Sequence, residues 1–301
     1  MPVQDHTMYN DFLNEIETFW EFLPDKPEED PEGILKTLWL TAAGTPTSIQ
    51  KAKTKLLPEL NDEKILVLKQ LIDTKRSGIP LAHISKRATF LELDFITGPE
   101  ALIPRVETEI LGKNVLAKLR MLTDDRGPLK VIDVCTGCGN LALSYAHYTP
   151  NATVYGADLS ENAVSLAQKN ATQLGLANRV TFQSGDLFAP FSDGSFLGSC
   201  DLVSCNPPYI STAKVSKMHK EISSFEPELA FNGGVFGISV LSRMIKEGPE
   251  FLKPGSWLCF ELGLGQGPAI VAKLKKDSRF STVESYTDCA ENIRAILAQT
   301  V

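Results

Sequence analysis

The sequence has no apolar run near the roughly 18–20 residues that span a bilayer, so no transmembrane helix is expected. It has no basic excess either. The formal net charge is −7, which gives no general attraction to a phosphate backbone and no strong nucleic-acid signal. The first residues, MPVQDHTMYNDFLNEIETFWEF, are acidic and lack a basic region followed by an apolar core. Neither a secretory signal nor an Arg-rich transit peptide is read there, and the expected location is cytoplasmic. Cysteine is sparse, with six residues at 135, 138, 200, 205, 259 and 289 and no dense secreted-type framework. Cys135 and Cys138 spell Cys-x-x-Cys, but no second such pair and no His pair completes a zinc site. They read as small residues in a tight loop, and no metal is expected. Internal repeats and low-complexity tracts are missing too. What remains is an ordinary globular composition, 43% hydrophobic and 22% charged, in 301 residues. That length suits one large or two modest domains.

Two regimes of patterning divide the chain. YNDFLNEIETFWEFL, PEGILKTLWLTAAG, SIQKAKTKLLPEL and NDEKILVLKQLIDTKRSG are helical in pattern. In the last, Asn61 or Asp62 can cap, Ile65, Leu68, Leu71 and Ile72 form a stripe, and Gly78 ends the helix. Residues 1–85 are therefore expected to form a small N-terminal helical domain, and residues 86–107 a β-hairpin or linker. A helix from Thr108 to about Leu119 would open a larger domain, 108–301. There strands and helices alternate. Strands are expected at 129–134, 153–159, 179–187, 200–206, 256–263, 281–288 and 293–299. The intervening helices fall at 139–147, 161–175, 239–252 and 266–276. This pattern implies an α/β, Rossmann-like fold with a mainly parallel seven-stranded sheet covered on both faces. Only CAEN separates the last two strands, too little for a crossover helix, so the C-terminal strand is expected to be antiparallel.

The first strand runs straight into DVCTGCGNLALSYA. Gly137 and Gly139 let the backbone turn tightly and lie close to a ligand, beside the free N–H groups of the next helix. Asp158, at the end of the second strand, suits the two hydroxyls of a ribose. A dinucleotide would want a third glycine where Ala142 stands, and its pyrophosphate would be repelled by Asp133. Asp133 suits instead a cofactor with a cationic amino-acid tail, such as S-adenosylmethionine, whose product is S-adenosylhomocysteine. Asp186, after the third strand, is placed to meet an adenine amino group. Thr136, Leu159 and Leu187 neighbour these residues and are expected to line the same cofactor site.

The fourth strand ends at Asn206-Pro207-Pro208-Tyr209. Two prolines fix φ and remove N–H donors, so this backbone presents carbonyls, and Asn206 adds a side-chain acceptor. Two rigid acceptors can hold both hydrogens of a planar –NH₂ whose lone pair is delocalised. They favour pyramidalisation and stabilise the charge that grows on nitrogen. Tyr209 offers a flat face for stacking. A strand-terminating turn with a buried tyrosine is the plainer alternative, but ligands of such sheets bind at this edge.

DVCTGCG and NPPYI, with ALIPRVETE (101–109), FEPELAFNGG (225–234) and FELGLGQG (260–267), resemble the HemK/PrmC group of protein-(glutamine-N5) methyltransferases. The resemblance covers about residues 60–301. It implies a class I S-adenosylmethionine-dependent methyltransferase fold and a peptide-chain release factor as protein partner, modified at the glutamine of its Gly-Gly-Gln tip. It also implies that the N-terminal domain helps hold that partner. Carried over, Asp133, Gly137 and Gly139 line the cofactor, Asp158 holds the ribose and Asp186 lies near the adenine. Asn206, Pro207 and Tyr209 hold the substrate amide, with Pro208, Arg105 and Glu226 also on the substrate side. Pro104, Arg105 and Glu107 lie in a segment that covers the cofactor. Glu226 equally suits a helix-cap partner. The sequence departs from the family at Cys135 and Cys138, where Gly and Ser or Thr are usual, and at FGIS (236–239), where an Asp-Gly pair is common. Three other functions stay open at this stage: methylation of a nucleobase amine, methylation of a small molecule or peptide, and a non-catalytic cofactor-binding role.

Overall fold

The computed structural model describes residues 6–23, 26–215 and 224–301. Residues 1–5 and 24–25 of the expected helical domain lie outside the described residues. Among the described residues, α1 (His6–Glu17), α2 (Pro31–Ala42), α3 (Ile49–Ala52), α4 (Asp62–Arg76) and α5 (Leu81–Ser85) precede any strand. Capping sets their starts: the Asp30 carboxylate accepts from Gly33 N at α2, and the Asn61 side chain accepts from Lys64 N at α4. Of the expected stripe on α4, Leu68 and Ile72 are fully buried and Ile65 and Leu71 partly so. They pack with Phe12, Ile16, Leu35 and Leu38 into a core separate from those of the rest of the chain.

A hairpin, β1 (Arg87–Phe90) and β2 (Leu93–Ile96), follows. It is tied to the helices through Ser48–Thr89 and Lys51–Asp94. The next helix, α6 (Thr108–Arg126), runs seven residues past the expected end at Leu119, because no breaker intervenes before Gly127-Pro128.

From there the chain alternates: β3 (Leu129–Val134), α7 (Asn140–Tyr148), β4 (Ala152–Asp158), α8 (Glu161–Gln173), β5 (Val180–Ser184), β6 (Cys200–Cys205), β7 (Leu252–Glu261), β8 (Phe280–Thr287) and β9 (Ile293–Thr300). Helices Ser239–Glu247 and Gly267–Leu274 flank β7. The seven strands form one sheet in the order β5-β4-β3-β6-β7-β9-β8. β9 runs antiparallel to both its neighbours, and the pairings from β5 to β7 are all parallel. The helix expected over 239–252 stops at Glu247, and Leu252 already belongs to β7. The strand start is anchored by Lys253, which meets the buried Asp201 carboxylate of β6 at 2.7 Å.

The two faces of the sheet carry two apolar cores. Val131, Leu202 and Leu297 belong to one with α6 and α7; Ile132, Val203 and Leu258 belong to the other. Each parallel strand thus buries side chains on both faces, which is why its sequence is apolar throughout rather than alternating. Among the described residues, no helix is long and apolar enough to cross a membrane.

Candidate active site

β3 sits where the sheet changes direction: β4 and β5 lie on one side of it, β6 and β7 on the other. The loops after β3 and β6 cannot both cover the strand between them, because there is none; Val134 pairs directly with Cys205. They leave a crevice, the usual ligand site of an open α/β sheet. A cavity of about 190 Å³ opens there. Its wall takes Thr136 and Gly137 from the first loop, Asn140 from the start of α7, Asp158 and Leu159 from the end of β4, and Asp186 and Leu187 from beyond β5. Asn206 and Pro208 come from the loop after β6, and Pro104, Arg105 and Thr108 close it from outside the sheet.

The loop after β3 is held in an unusual backbone form. Gly137 and Gly139 have φ of +55° and +82°, as the tight turn requires. A Cβ on Gly139 would come within 2.9 Å of the Phe182 ring, so this glycine serves helix–strand packing and does not reach the cavity wall. Cys135 and Leu187 also have positive φ, +56° and +49°, and both line the cavity. Strain of this kind on non-glycine residues collects at functional sites.

Asp133 does not stand at the cavity wall. It is fully buried, and its carboxylate accepts from the Thr136 and Ser204 hydroxyls and from the backbone of Ala142 in α7. Burial pushes its pKa up to about 6, against those hydrogen bonds. The expected direct contact with a cationic tail is therefore not what this geometry provides. Asp133 pins the loop from beneath, joining β3, the first turn of α7 and β6.

Asp158, expected at the ribose, lines the cavity, and its oxygens accept backbone N–H groups from Gly137 and Ser160, both at 2.9 Å. The carboxylate keeps lone-pair capacity for a hydroxyl donor. Asp186 also lines the cavity, but both its oxygens accept from Arg243 at 2.9 Å. Sequence reasoning missed Arg243, which shares this carboxylate with any adenine amine.

Glu100, Asp158 and Asp186 bring three carboxylates to the wall; the Asp186 charge is met by Arg243 and the Arg105 charge by Glu226, which leaves Glu100 and Asp158 to favour positive charge. That donor set suits a ligand with positive charge and hydroxyl groups and opposes a pyrophosphate. S-adenosylmethionine, with its sulfonium, amino-acid tail and ribose diol, fits.

At the loop after β6, Asn206 and Pro208 face the cavity while Pro207 and Tyr209 do not. The Tyr209 hydroxyl donates to the buried Glu261 at 3.0 Å, and burial drives its pKa far up. Tyr209 is absent from the cavity wall, so the expected stacking on a ligand in this cavity is not what its placement provides. The Pro208 and Tyr209 carbonyls are packed by glycine: a Cβ on Gly233 or Gly237 would lie 2.4 or 2.2 Å from them. The Tyr209 carbonyl also accepts from Gln266.

Arg105 and Glu226, expected on the substrate side, pair with each other. Arg105 Nη2 donates to Glu226 Oε1 at 2.5 Å, and Ile103 N donates to Oε2 at 2.9 Å. The Glu226 side chain is fully buried and lies behind the wall that Arg105 lines. The pair clamps segment 101–107 to segment 226–230 as a roof, so neither the substrate contact nor the helix cap is the role the geometry gives Glu226. Glu107, just before α6, is not on the wall. Asn170 of α8 ties the hairpin to the loop after β3, its amide bonding both Ile96 and the Cys138 carbonyl. Three contributors had no local signal in the sequence: Ser204, Asn170 and Thr108.

Cys135 is half-buried at the cavity wall and Cys138 is buried beneath it; burial pushes the Cys138 thiol up to about 12. Both are free thiols.

Comparison with known proteins gives the same fold. Residues 126–283 match the family model described as a methyltransferase domain. The chain is 33% identical over 274 residues to the release factor glutamine methyltransferase of Moorella thermoacetica, covering 91% of this chain and 92% of that one. It is 32% identical over 206 residues to the ribosomal protein uL3 glutamine methyltransferase of Bradyrhizobium diazoefficiens, covering 66% and 61%. Among solved structures, the N-terminal domain of human METTL16 in complex with SAH superposes with a TM-score of 0.50 at 16% identity, covering 77% of this chain and 83% of that one. The fold is that of class I methyltransferases, with helices added at the N-terminal side.

Proposed function

The chain belongs to the release factor glutamine methyltransferase family, and from that premise we propose that it methylates the side-chain nitrogen of the glutamine in the Gly-Gly-Gln tip of a peptide-chain release factor. When bound, S-adenosylmethionine supplies an electrophilic methyl on its sulfonium and leaves as S-adenosylhomocysteine. The protein's own residues do the rest. Asp158 on the cavity wall would hold the ribose hydroxyls, and Glu100 on the same wall favours a cationic ligand. Asn206 faces the same cavity from the loop after β6, across β3 from Asp158, where its side-chain acceptor can hold an amide for attack on the methyl.

The observation that carries the reading is this juxtaposition. One cavity is lined by the ribose-type carboxylate of β4 and by the first residue of an Asn-Pro-Pro-Tyr turn. Leu159 and Leu229 stand exposed on its wall, apolar surface suited to a peptide substrate. The helices within residues 1–85, with their own core, are assigned the role of a partner-holding domain, joined by 86–107 to the methyltransferase domain of 108–301. A cytoplasmic location and a protein rather than nucleic-acid partner belong to the same reading.

The uL3-methylating relative supports a second acceptor of identical chemistry, a glutamine of a ribosomal protein. The experiment is transfer of a labelled methyl to four acceptors: release factor, its tip Gln→Ala variant, uL3 and total RNA. Label on the first alone upholds the reading; label on uL3 or RNA alone overturns it.

A further inference from the structure

Burial of Asp133 leaves the cationic tail of the cofactor without the carboxylate that the sequence offered it. The Asp133 oxygens are taken from within, one by the Thr136 hydroxyl and the other by that of Ser204. An ammonium that leaves water for a cavity needs an acceptor there, because an unpaired charge keeps its full desolvation cost. Three carboxylates line the cavity, and two are already engaged. Both Asp186 oxygens accept from Arg243, and Asp158 accepts the Gly137 and Ser160 N–H groups. Glu100 lines the same cavity and makes no hydrogen bond or ion pair with any described residue.

Position separates Glu100 from the other two. The strand order runs β5-β4-β3-β6, with Asp186 beyond β5, Asp158 at the end of β4 and Asn206 after β6. Neighbouring strands lie about 5 Å apart. A cofactor with its adenine at Asp186 and its ribose at Asp158 therefore continues over the loop after β3 before its methyl can face Asn206. Its amino-acid tail falls over that loop. Glu100 stands at the same place. Ala101, the next residue, is buried in a small apolar cluster with Cys138 of that loop and with Ala163 and Leu166 of α8. A Cβ on Gly137 would lie 4.0 Å from the Ala101 Cβ. Further along the segment, Ile103 and Arg105 are clamped to Glu226, so the backbone that carries Glu100 is fixed over the cavity.

We infer that Glu100, not Asp133, meets the α-ammonium of S-adenosylmethionine and thereby selects a ligand that carries the amino-acid tail. This rests on the reading of the cavity as the cofactor site with the ribose at Asp158, and not on which protein accepts the methyl. It gives the segment before α6 a direct part in cofactor binding: the Arg105–Glu226 pair holds the segment, and Glu100 presents the charge. The contact distinguishes the intact cofactor from methylthioadenosine, which keeps the nucleoside and the thioether but lacks the amine.

Calorimetry on the full chain tests this with three ligands: S-adenosylhomocysteine, its deaminated analogue with hydrogen in place of the α-amino group, and methylthioadenosine. Glu100→Gln is expected to weaken S-adenosylhomocysteine roughly ten- to a hundredfold, as for a lost charged hydrogen bond, and to leave the other two within about threefold. Asp133→Asn is expected to keep the wild-type preference for the amine. Native S-adenosylhomocysteine affinity in Glu100→Gln overturns the inference. So does equal weakening of all three ligands, which would mean a change in the cavity's shape or overall field. A preference lost in Asp133→Asn but kept in Glu100→Gln overturns it too, and returns the contact to Asp133. The melting midpoint of ligand-free Glu100→Gln is expected to match the wild type, since the side chain is partly exposed and has no partner among the described residues. No acceptor enters these measurements, so failure to methylate a release factor would remove the function reading and leave this one standing. Wild-type protein that binds none of the three ligands would remove the cofactor site and this inference together.

Discussion

Replacing Glu226 by Gln tests whether the Arg105–Glu226 pair is a clamp or a pair of substrate contacts. Glu226 is fully enclosed, Arg105 nearly so, and the carboxylate takes both the guanidinium and the Ile103 N–H. Breaking one side of a buried, hydrogen-bonded ion pair costs about 3–5 kcal/mol, because the remaining charge stays desolvated. On a chain of this size that lowers the melting midpoint by on the order of 10 °C. Since the pair closes the roof over the cavity, cofactor affinity falls with it. Replacing both partners by apolar residues of similar volume, Arg105→Met with Glu226→Leu, should cost less than the sum of the single changes. The coupling expected is roughly 2 kcal/mol. Thermal and urea denaturation of the wild type, Glu226→Gln, Arg105→Met, Glu226→Leu and the double variant measure this, with S-adenosylhomocysteine titration alongside. Additive effects on stability, or native stability with only acceptor KM raised in Glu226→Gln, would refute the clamp and restore a substrate contact.

Asp133 gives a pH signature. Burial pushes its pKa up to about 6 from the ordinary 3.8, so its contribution to stability is full below the lower value and is lost as pH rises through the higher one. The loss is about 3 kcal/mol, and urea denaturation of Asp133→Asn across that window should lack this component. Maleimide should label the exposed Cys289 and the cavity-wall Cys135, with S-adenosylhomocysteine protecting Cys135 alone; peptide mapping that finds Cys138 labelled first would contradict the placement. Arg243→Ala removes an exposed pair and should change stability by less than about 1 kcal/mol. Calorimetry should show cofactor affinity unchanged or improved in that variant, and weakened in Asp186→Ala. Asn206→Ala should abolish turnover and leave cofactor affinity within about threefold, as expected of a group that acts on the acceptor.

Much of the architecture could be read in the sequence because its causes are local. LKVIDV is a strand with both faces buried and a Gly-rich exit, and β3 has those bounds. The short CAEN link forces the antiparallel pair at the end of the sheet. The SIQKAKTKLLPEL segment misled: helical pattern extends over it, but the helix stops at Ala52. The helix expected over 239–252 ends at Glu247, because Gly248-Pro249 breaks it into a 3-10 turn before β7 opens at Leu252, a local signal that the helical pattern masks. The site divides in the same way. Asp158, Asn206 and the two loop glycines stand out through their place after a strand. The partners that set their geometry lie distant in sequence: Ser204 is 71 residues from Asp133, Thr108 is 98 from Asn206, and Glu226 is 121 from Arg105. Pairings at such distances are made by topology, and no local pattern announces them. Asp133 is the instructive case. Its charge suggested a ligand contact, whereas the fold surrounds it with its own donors.

The central claim is that the turn after β6 presents an acceptor amide to the methyl donor held over β3 and β4. Tandem mass spectrometry of the release-factor tip peptide, after incubation with S-adenosylmethionine and the enzyme, tests it most directly. The account predicts one methyl on the side-chain nitrogen of the Gly-Gly-Gln glutamine, lost with Asn206→Ala. A methyl on any other residue, or the same product from Asn206→Ala at the wild-type rate, would contradict it.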